Sequence, residues 1–207
     1  MRILVTAGPT REYIDPVRFI TNASSGRMGY AVAAAARRAG HEVTLLTGPT
    51  ALAAPEGVKV AAFATVEELR AALTERFPTC DALVMAAAVG DFRAQTVAGR
   101  KIARKGGPIE VKLIPTEDVL AATVAKKQAG QTVIAFAVET GTREEMEQKA
   151  RGEMKAKGAD FVVVNTPEAM GREGSQACIL SPEGVALAWG DRAKGDLADA
   201  IVRLLER

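Results

Sequence analysis

The sequence predicts an α/β fold, a doubly wound, mostly parallel sheet with helices on both faces, closed by a C-terminal hairpin and helix. Three observations carry that reading. Short β-branched runs alternate with longer Ala-, Leu- and Arg-rich stretches, which is the pattern of parallel strands joined by helical crossovers. Most of the strand runs are near-continuous apolar stretches, which suits a sheet covered on both faces. The 207 residues, 48% hydrophobic and 25% charged, hold enough apolar material for one sizeable core, so a single domain over 1–207 is expected.

Taken in order, strands are expected at Ile3 to Ala7, Glu42 to Leu46, Val58 to Phe63 and Leu83 to Ala86. Helices fit at Gly26 to Ala39 and at Val66 to Phe77, the second opened by Thr65 with Glu68 as a capping box. The second half continues with an apolar run Val133 to Val138, a charged helix from Arg143 to Lys157 behind the capping pair Thr142 and Glu145, and a strand Phe161 to Val164. A hairpin follows, Ala177 to Leu180 and Val185 to Trp189 around Ser181-Pro182-Glu183-Gly184, and then a helix from Gly195 to Leu205. Between the halves, Phe92 to Gly107 is rich in Arg, Lys and Gly and too long and polar for an ordinary connection, the profile of a functional or disordered loop. The architecture is Rossmann-like.

Composition excludes several classes. With 27 basic and 25 acidic residues, the net charge of +2 supports neither general nucleic-acid binding nor attachment to a membrane. Cys80 and Cys178 lie far apart with no histidine near either, so they read as two buried small hydrophobes rather than as a disulfide or a zinc site. Met1-Arg2 leads directly into Ile3-Leu4-Val5 with no signal-type region, and no apolar run reaches membrane-spanning length, which points to the cytoplasm.

Ligands of open α/β sheets bind beyond the carboxyl ends of the strands, and four segments there are unusual. After the first strand, Gly8 and Arg18 precede Asn22-Ala23-Ser24-Ser25-Gly26-Arg27-Met28-Gly29 at the start of a helix. Hydroxyls and glycines there expose N–H groups to an anion, although ordinary N-capping uses the same residues. After the fourth strand, Met85-Ala86-Ala87-Ala88 lets a flat ligand approach the backbone, and Asp91 then offers a carboxylate to a metal or a hydroxyl, or simply forms a turn. Arg100, Lys101, Arg104 and Lys105 put four cations in six residues, a density suited to a triphosphate and equally to a solvated loop. Last come Pro115 to Val119 at a helix start, Ala135 to Thr140 at a strand end, and the lysines 149, 155 and 157. Asp118 here can serve the helix dipole and Phe136 the core.

A nicotinamide-dependent reductase is the rival reading that a glycine after strand one invites. G-x-G-x-x-G is absent, since Gly26 comes eighteen positions after Gly8, and strand two ends Leu46-Thr47-Gly48-Pro49 without an acidic residue for a ribose.

Taken together, the segments resemble the synthetase part of bacterial phosphopantothenoylcysteine synthetase, in a stand-alone form without the flavin-dependent decarboxylase. The resemblance runs from Ile3 to Asn165. It is carried by Thr6-Ala7-Gly8-x-Thr10-Arg11-Glu12-x-Ile14-Asp15-Pro16-Val17-Arg18 continuing into Asn22-x-Ser24-Ser25-Gly26-x-Met28-Gly29, then by Ala86-Ala87-Ala88-Val89 to Asp91, Lys101-Ile102, Pro115-x-x-Asp118, Phe136 with Glu139-Thr140, and Lys157-x-x-Asp160 to Asn165.

The resemblance implies that the carboxylate of 4'-phosphopantothenate attacks the α-phosphate of CTP, with Mg²⁺, and that cysteine then displaces CMP from the acyl-cytidylate. It assigns Met85, Ala86, Ala87, Asp91, Lys101, Glu117, Asp118, Val119, Leu120, Phe136 and Lys157 to the nucleotide, and Asp91 to the metal. Lys101 and Asn22 take the catalytic roles, Lys101 on the triphosphate charge and Asn22 on the acyl intermediate. Gly8, Arg18, Asn22, Ser24, Ser25, Gly26, Met28 and Gly29 go to the phosphopantothenate side. It further implies a homodimer and a separate decarboxylase as the next enzyme. The chain departs from the family pattern at Ala103, which interrupts a Lys-Ile-Lys-Lys run, at Ala135, where a glycine is usual, and at Glu153, where a nucleotide-binding lysine is expected; Lys149, one turn earlier, is the substitute. A non-catalytic nucleotide-binding module of the same fold is the third alternative.

Overall fold

The computed structural model describes residues 1–104 and 106–206, so Lys105 of the basic run lies outside the described residues. The first half comprises β1 (Arg2–Ala7), β2 (Arg11–Tyr13), β3 (Phe19–Thr21), α1 (Arg27–Arg38), β4 (Glu42–Thr47), β5 (Lys59–Ala62), α2 (Val66–Arg76) and β6 (Ala82–Met85). The second comprises β7 (Phe92–Ala94), β8 (Leu113–Pro115), α3 (Val119–Val124), β9 (Thr132–Val138), α4 (Arg143–Lys157), β10 (Phe161–Asn165), β11 (Gly174–Ser181), β12 (Gly184–Ala193) and α5 (Lys194–Leu205).

Eight strands form one sheet in the order β12-β11-β10-β9-β6-β1-β4-β5. From β5 to β10 all neighbours pair in parallel, and β11 and β12 complete one edge antiparallel. The chain therefore builds outward from β1 through β4 to β5, returns to β6 on the other side of β1, and builds outward again through β9 to β10. This reversal leaves a crevice above the carboxyl ends of β1 and β6, where flanking connections diverge.

Alternation within β1 divides the core. Ile3, Val5 and Ala7 face Val32, Ala36, Leu197 and Ile201 of α1 and α5, while Leu4 faces Leu69, Leu73 and Met146 on the side of α2 and α4. Both faces are thus covered, which is why the strands carry no polar alternation. Thr65 caps α2 by accepting from the Glu68 N–H, and Thr142 with Glu145 forms the reciprocal capping box of α4.

The differences from expectation are local. The strand expected from Val58 starts at Lys59, because the Val58 N–H closes a turn onto the Pro55 carbonyl. The helix expected to run through Phe77 gives way there to a 3₁₀ turn, Phe77–Thr79, with Pro78 in its first turn. Both strands of the C-terminal hairpin extend beyond their apolar cores, to Gly174 and Ala193, since antiparallel pairing carries them through the polar ends. Two small hairpins, β2 with β3 and β7 with β8, occupy stretches with no strand expectation. Cys178 is fully buried and its thiol is pushed up to about 12 by desolvation, whereas Cys80 is only half-buried and donates to the Arg76 carbonyl. The expectation of two buried cysteines therefore holds for Cys178 alone.

Candidate functional site

At the reversal point, the connections after β1 and β6 are knitted together before either reaches its next helix. Pro9 and Ala88 form an isolated parallel bridge, the Ala88 N–H donates to the Gly8 carbonyl (2.9 Å), and the Gly90 N–H donates to the Thr10 hydroxyl (2.9 Å). The Asn22 amide donates to the Val89 carbonyl (2.9 Å), and the Thr116 hydroxyl donates to the Gly90 carbonyl (2.6 Å). These bonds bind residues far apart in the chain into one rigid floor.

Above it opens a cavity of about 700 Å³. One wall is Asn22 to Met28 at the start of α1, and the floor is Met85 to Val89 with Asp91. Thr116 to Leu120 and Phe136 to Glu139 form the next wall, with Glu153 and Lys157 from α4; Asn165, Ala169 to Gly171 and Lys194 complete the lining. That volume suits a ligand of nucleotide size.

Gly26 caps α1 in the left-handed region (φ 78), where it accommodates the turn that a side chain would strain, and among the described residues no side chain caps the helix. The Ser24 hydroxyl accepts from the Gly26 N–H at 3.3 Å, so the first helical N–H groups remain directed at the cavity without a side-chain partner. Met85 and Ala86 stand at the end of β6 with small Ala87 and Ala88 beyond, which leaves room for a planar group beside Phe136.

Charge at the walls is mixed. Lys157 pairs with Asp118 (3.2 Å) and Glu153 (3.7 Å), and Arg27 pairs with Glu173. Asp118 also caps α3 by accepting from the Ala121 N–H (2.9 Å), so it serves the helix and the cavity lysine together. Five carboxylates line the cavity, Asp91, Glu117, Asp118, Glu139 and Glu153, against the three cations Arg27, Lys157 and Lys194. Asn165 contributes a buried side-chain oxygen with no hydrogen-bond partner among the described residues, an acceptor that a ligand donor would satisfy. Among the described residues no group of three or more His, Cys, Asp or Glu side chains could hold a metal ion. A single carboxylate such as that of Asp91, outside any such cluster, fits an ion that arrives largely coordinated by phosphate and water, as Mg²⁺ does, better than a resident metal.

Of the residues singled out in the sequence, Asn22, Ser24, Ser25, Gly26, Met28, Met85, Ala86, Ala87, Asp91, Glu117, Asp118, Val119, Leu120, Phe136 and Lys157 come together on this cavity. Gly8, Arg18, Gly29, Lys101 and Lys149 do not line it. Gly8 is buried beneath Thr50, and Gly29 lies against β1, where an added Cβ would be 2.5 Å from the Ala7 Cβ and 2.7 Å from the Thr6 oxygen; both are packing positions. Arg18 pairs with Asp15 (3.3 Å) and donates to the Ile102 carbonyl (2.5 Å), so it holds the neighbouring loop. Lys101, beside that anchored Ile102, is exposed to solvent. Lys149 is held at the rim by the buried carboxylate of Glu139 (2.7 Å), and that hydrogen bond raises its pKa.

Sequence reasoning missed Arg27, Glu139, Asn165 and Lys194 as lining residues. Arg27 and Glu139 sat inside quoted motifs without a role. Lys194 had no local signal, because only the hairpin's return places it at the cavity.

The family described as the DNA/pantothenate metabolism flavoprotein C-terminal domain matches over residues 1–207. The coenzyme A biosynthesis bifunctional protein CoaBC of Mycobacterium tuberculosis is 42% identical over 213 residues, covering 97% of this chain and 51% of that protein. The chain thus spans about half the length of that curated relative. Among solved structures, the C-terminal domain of a CoaBC protein superposes with a TM-score of 0.81 at 32% identity, covering 99% of this chain and 93% of that one. The DNA/pantothenate metabolism flavoprotein of Streptococcus pneumoniae shares the fold, with a TM-score of 0.88 at 22% identity over 100% of this chain and 98% of that one.

Proposed function

The chain belongs to the family of the DNA/pantothenate metabolism flavoprotein C-terminal domain, and from that membership we propose that it is a phosphopantothenate–cysteine ligase of coenzyme A biosynthesis. Its 207 residues act as one synthetase unit in the cytoplasm. The observation that carries the reading is convergence: fifteen of the residues that the family pattern marks for nucleotide or acyl substrate lie on one cavity at the strand-order reversal.

In this reading CTP lies with its base near Met85 to Ala87, the Glu117 to Leu120 turn and Phe136, and its phosphates toward the open N–H groups of α1. The phosphopantothenate carboxylate attacks the α-phosphorus, forming the acyl-cytidylate and releasing pyrophosphate. The cysteine amine then attacks the acyl carbon, and CMP leaves with the electron pair of the broken acyl–phosphate bond. Mg²⁺, where bound with the triphosphate, would neutralise its charge, which the excess of cavity carboxylates makes necessary. Asp91 is the residue that would hold it. Asn22, fixed by its bond to Val89, positions the acyl group for the second step. Lys101 enters by family resemblance alone, stabilising charge on the phosphates from its loop.

A homodimer is the assembled form. Support comes from the unit built by the two small hairpins, which exposes Val17, Phe92, Val97, Ile109 and Leu113, each more than 40% accessible. Sedimentation at twice 21.7 kDa is the expected result, and a strict monomer would remove this part of the reading. The product passes to a phosphopantothenoylcysteine decarboxylase.

The test is turnover of CTP, 4'-phosphopantothenate and cysteine, followed by pyrophosphate release and by mass. Lys101→Gln abolishes pyrophosphate release, whereas Asn22→Asp still releases it but yields no amide product. Absence of product with any nucleotide triphosphate, or tight binding of NADH or NADPH, would overturn the reading.

A further inference from the structure

Lys194 is the first residue of α5 and lines the cavity, where nothing in the family pattern gives it a task. Its ammonium donates to the Ala169 carbonyl (2.8 Å) and to the Arg172 carbonyl. Neither partner carries charge. An ammonium has three N–H donors, so two are spent on the backbone and one remains, along with the whole positive charge.

The other cavity cations are already matched, Lys157 by Asp118 and Glu153 and Arg27 by Glu173. Among the described residues Lys194 makes no ion pair. Burial lowers its pKa, and so does the nearby positive charge of Arg27, the first residue of α1. Lys194 therefore stands at the same end of the cavity as the unpartnered N–H groups of α1, and its position is fixed in advance by the carbonyls that hold it.

We propose that Lys194 is the polyphosphate contact of this cavity, giving its one open N–H and its uncompensated charge to the phosphate chain of the bound nucleotide. The proposal rests on the nucleotide reading given above. It also makes the segment Ala169 to Gly171, tied to Lys194, part of the wall that the phosphates complete.

Calorimetry with Mg·CTP, CMP and inorganic tripolyphosphate tests it on the full chain, with Lys194→Met and Lys194→Arg. Lys194→Met keeps the apolar stem but not the charge, and is expected to weaken CTP and tripolyphosphate binding about ten-fold or more, the weight of one hydrogen bond to a charged group, while CMP binding changes less than about two-fold. Lys194→Arg restores binding of both polyphosphates to within a few-fold, since guanidinium has donors for carbonyls and phosphate alike. Unchanged CTP and tripolyphosphate binding in Lys194→Met overturns the proposal, and so does an equal loss for CMP, which would mark Lys194 as a prop for the 169–171 wall. Wild-type protein that takes tripolyphosphate in a Lys194-dependent way but neither CTP nor another nucleoside triphosphate leaves Lys194 as a polyphosphate contact and removes the nucleotide reading on which the ligase rests. If it takes neither tripolyphosphate nor a nucleoside triphosphate, both fall.

Discussion

Asp15 illustrates how one buried side chain organises the surroundings of this site. Its carboxylate, fully buried, accepts from the N–H groups of Val17 and Arg18 (2.8 Å each) and of Ile102 (3.1 Å), and pairs with Arg18. Desolvation alone would raise its pKa, but the three backbone donors and the Arg18 charge outweigh it and hold the value below the ordinary aspartate range. A depressed folded-state pKa contributes stability that is present above the unfolded value and is lost as pH falls through the folded one. Asp15→Asn is therefore expected to lower the melting temperature by several degrees at neutral pH, and the gap to wild type should narrow on acidification below the ordinary aspartate range. Thermal melts of both proteins across that range check it. The sequence displayed Asp15 only as one letter of a long motif; its partner Ile102 lies 87 residues away, a contact that no local pattern encodes.

Among the elements, α1 was the most legible and its glycines the least. The Ser-Ser-Gly start and the alanine-rich body mark a helix at Gly26 to Ala39, and it forms at Arg27–Arg38. The roles within it divide in a way the sequence does not express. Gly26 turns the chain at the cavity, whereas Gly29, three residues on, permits the helix to press against β1. Gly29→Ala is expected to destabilise the fold by about 3 kcal/mol, because backbone rather than a flexible side chain opposes the new methyl group. Chemical denaturation reads this directly, and a loss below about 0.5 kcal/mol would show that the helix can move aside. The two short hairpins stayed hidden because strands of three residues are too brief for any periodicity to declare itself.

At the scale of the whole molecule, the parallel sheet was legible because its strands are continuous apolar runs, and the order of those strands then determines where a ligand can enter. Residues at strand ends and helix starts, such as Met85, Asp118 and Phe136, could be nominated from sequence since that is where such folds open. Lys101 and Lys149 could not be placed the same way, because long charged side chains follow whichever partner folding supplies, Glu139 in the case of Lys149. Lys194 shows the converse, a functional position created solely by the return of the antiparallel edge. Among the described residues no helix is long and apolar enough to cross a membrane.

The central claim is that one cavity, assembled from seven separated stretches of chain at the reversal of strand order, holds the nucleotide for ligation. A crystal structure with CTP and Mg²⁺ measures it most directly. The account predicts the base beside Met85 to Ala87 and Phe136 and the phosphates between the start of α1 and Lys194. A nucleotide bound elsewhere on the molecule, with Asp118 and Phe136 untouched, would contradict it.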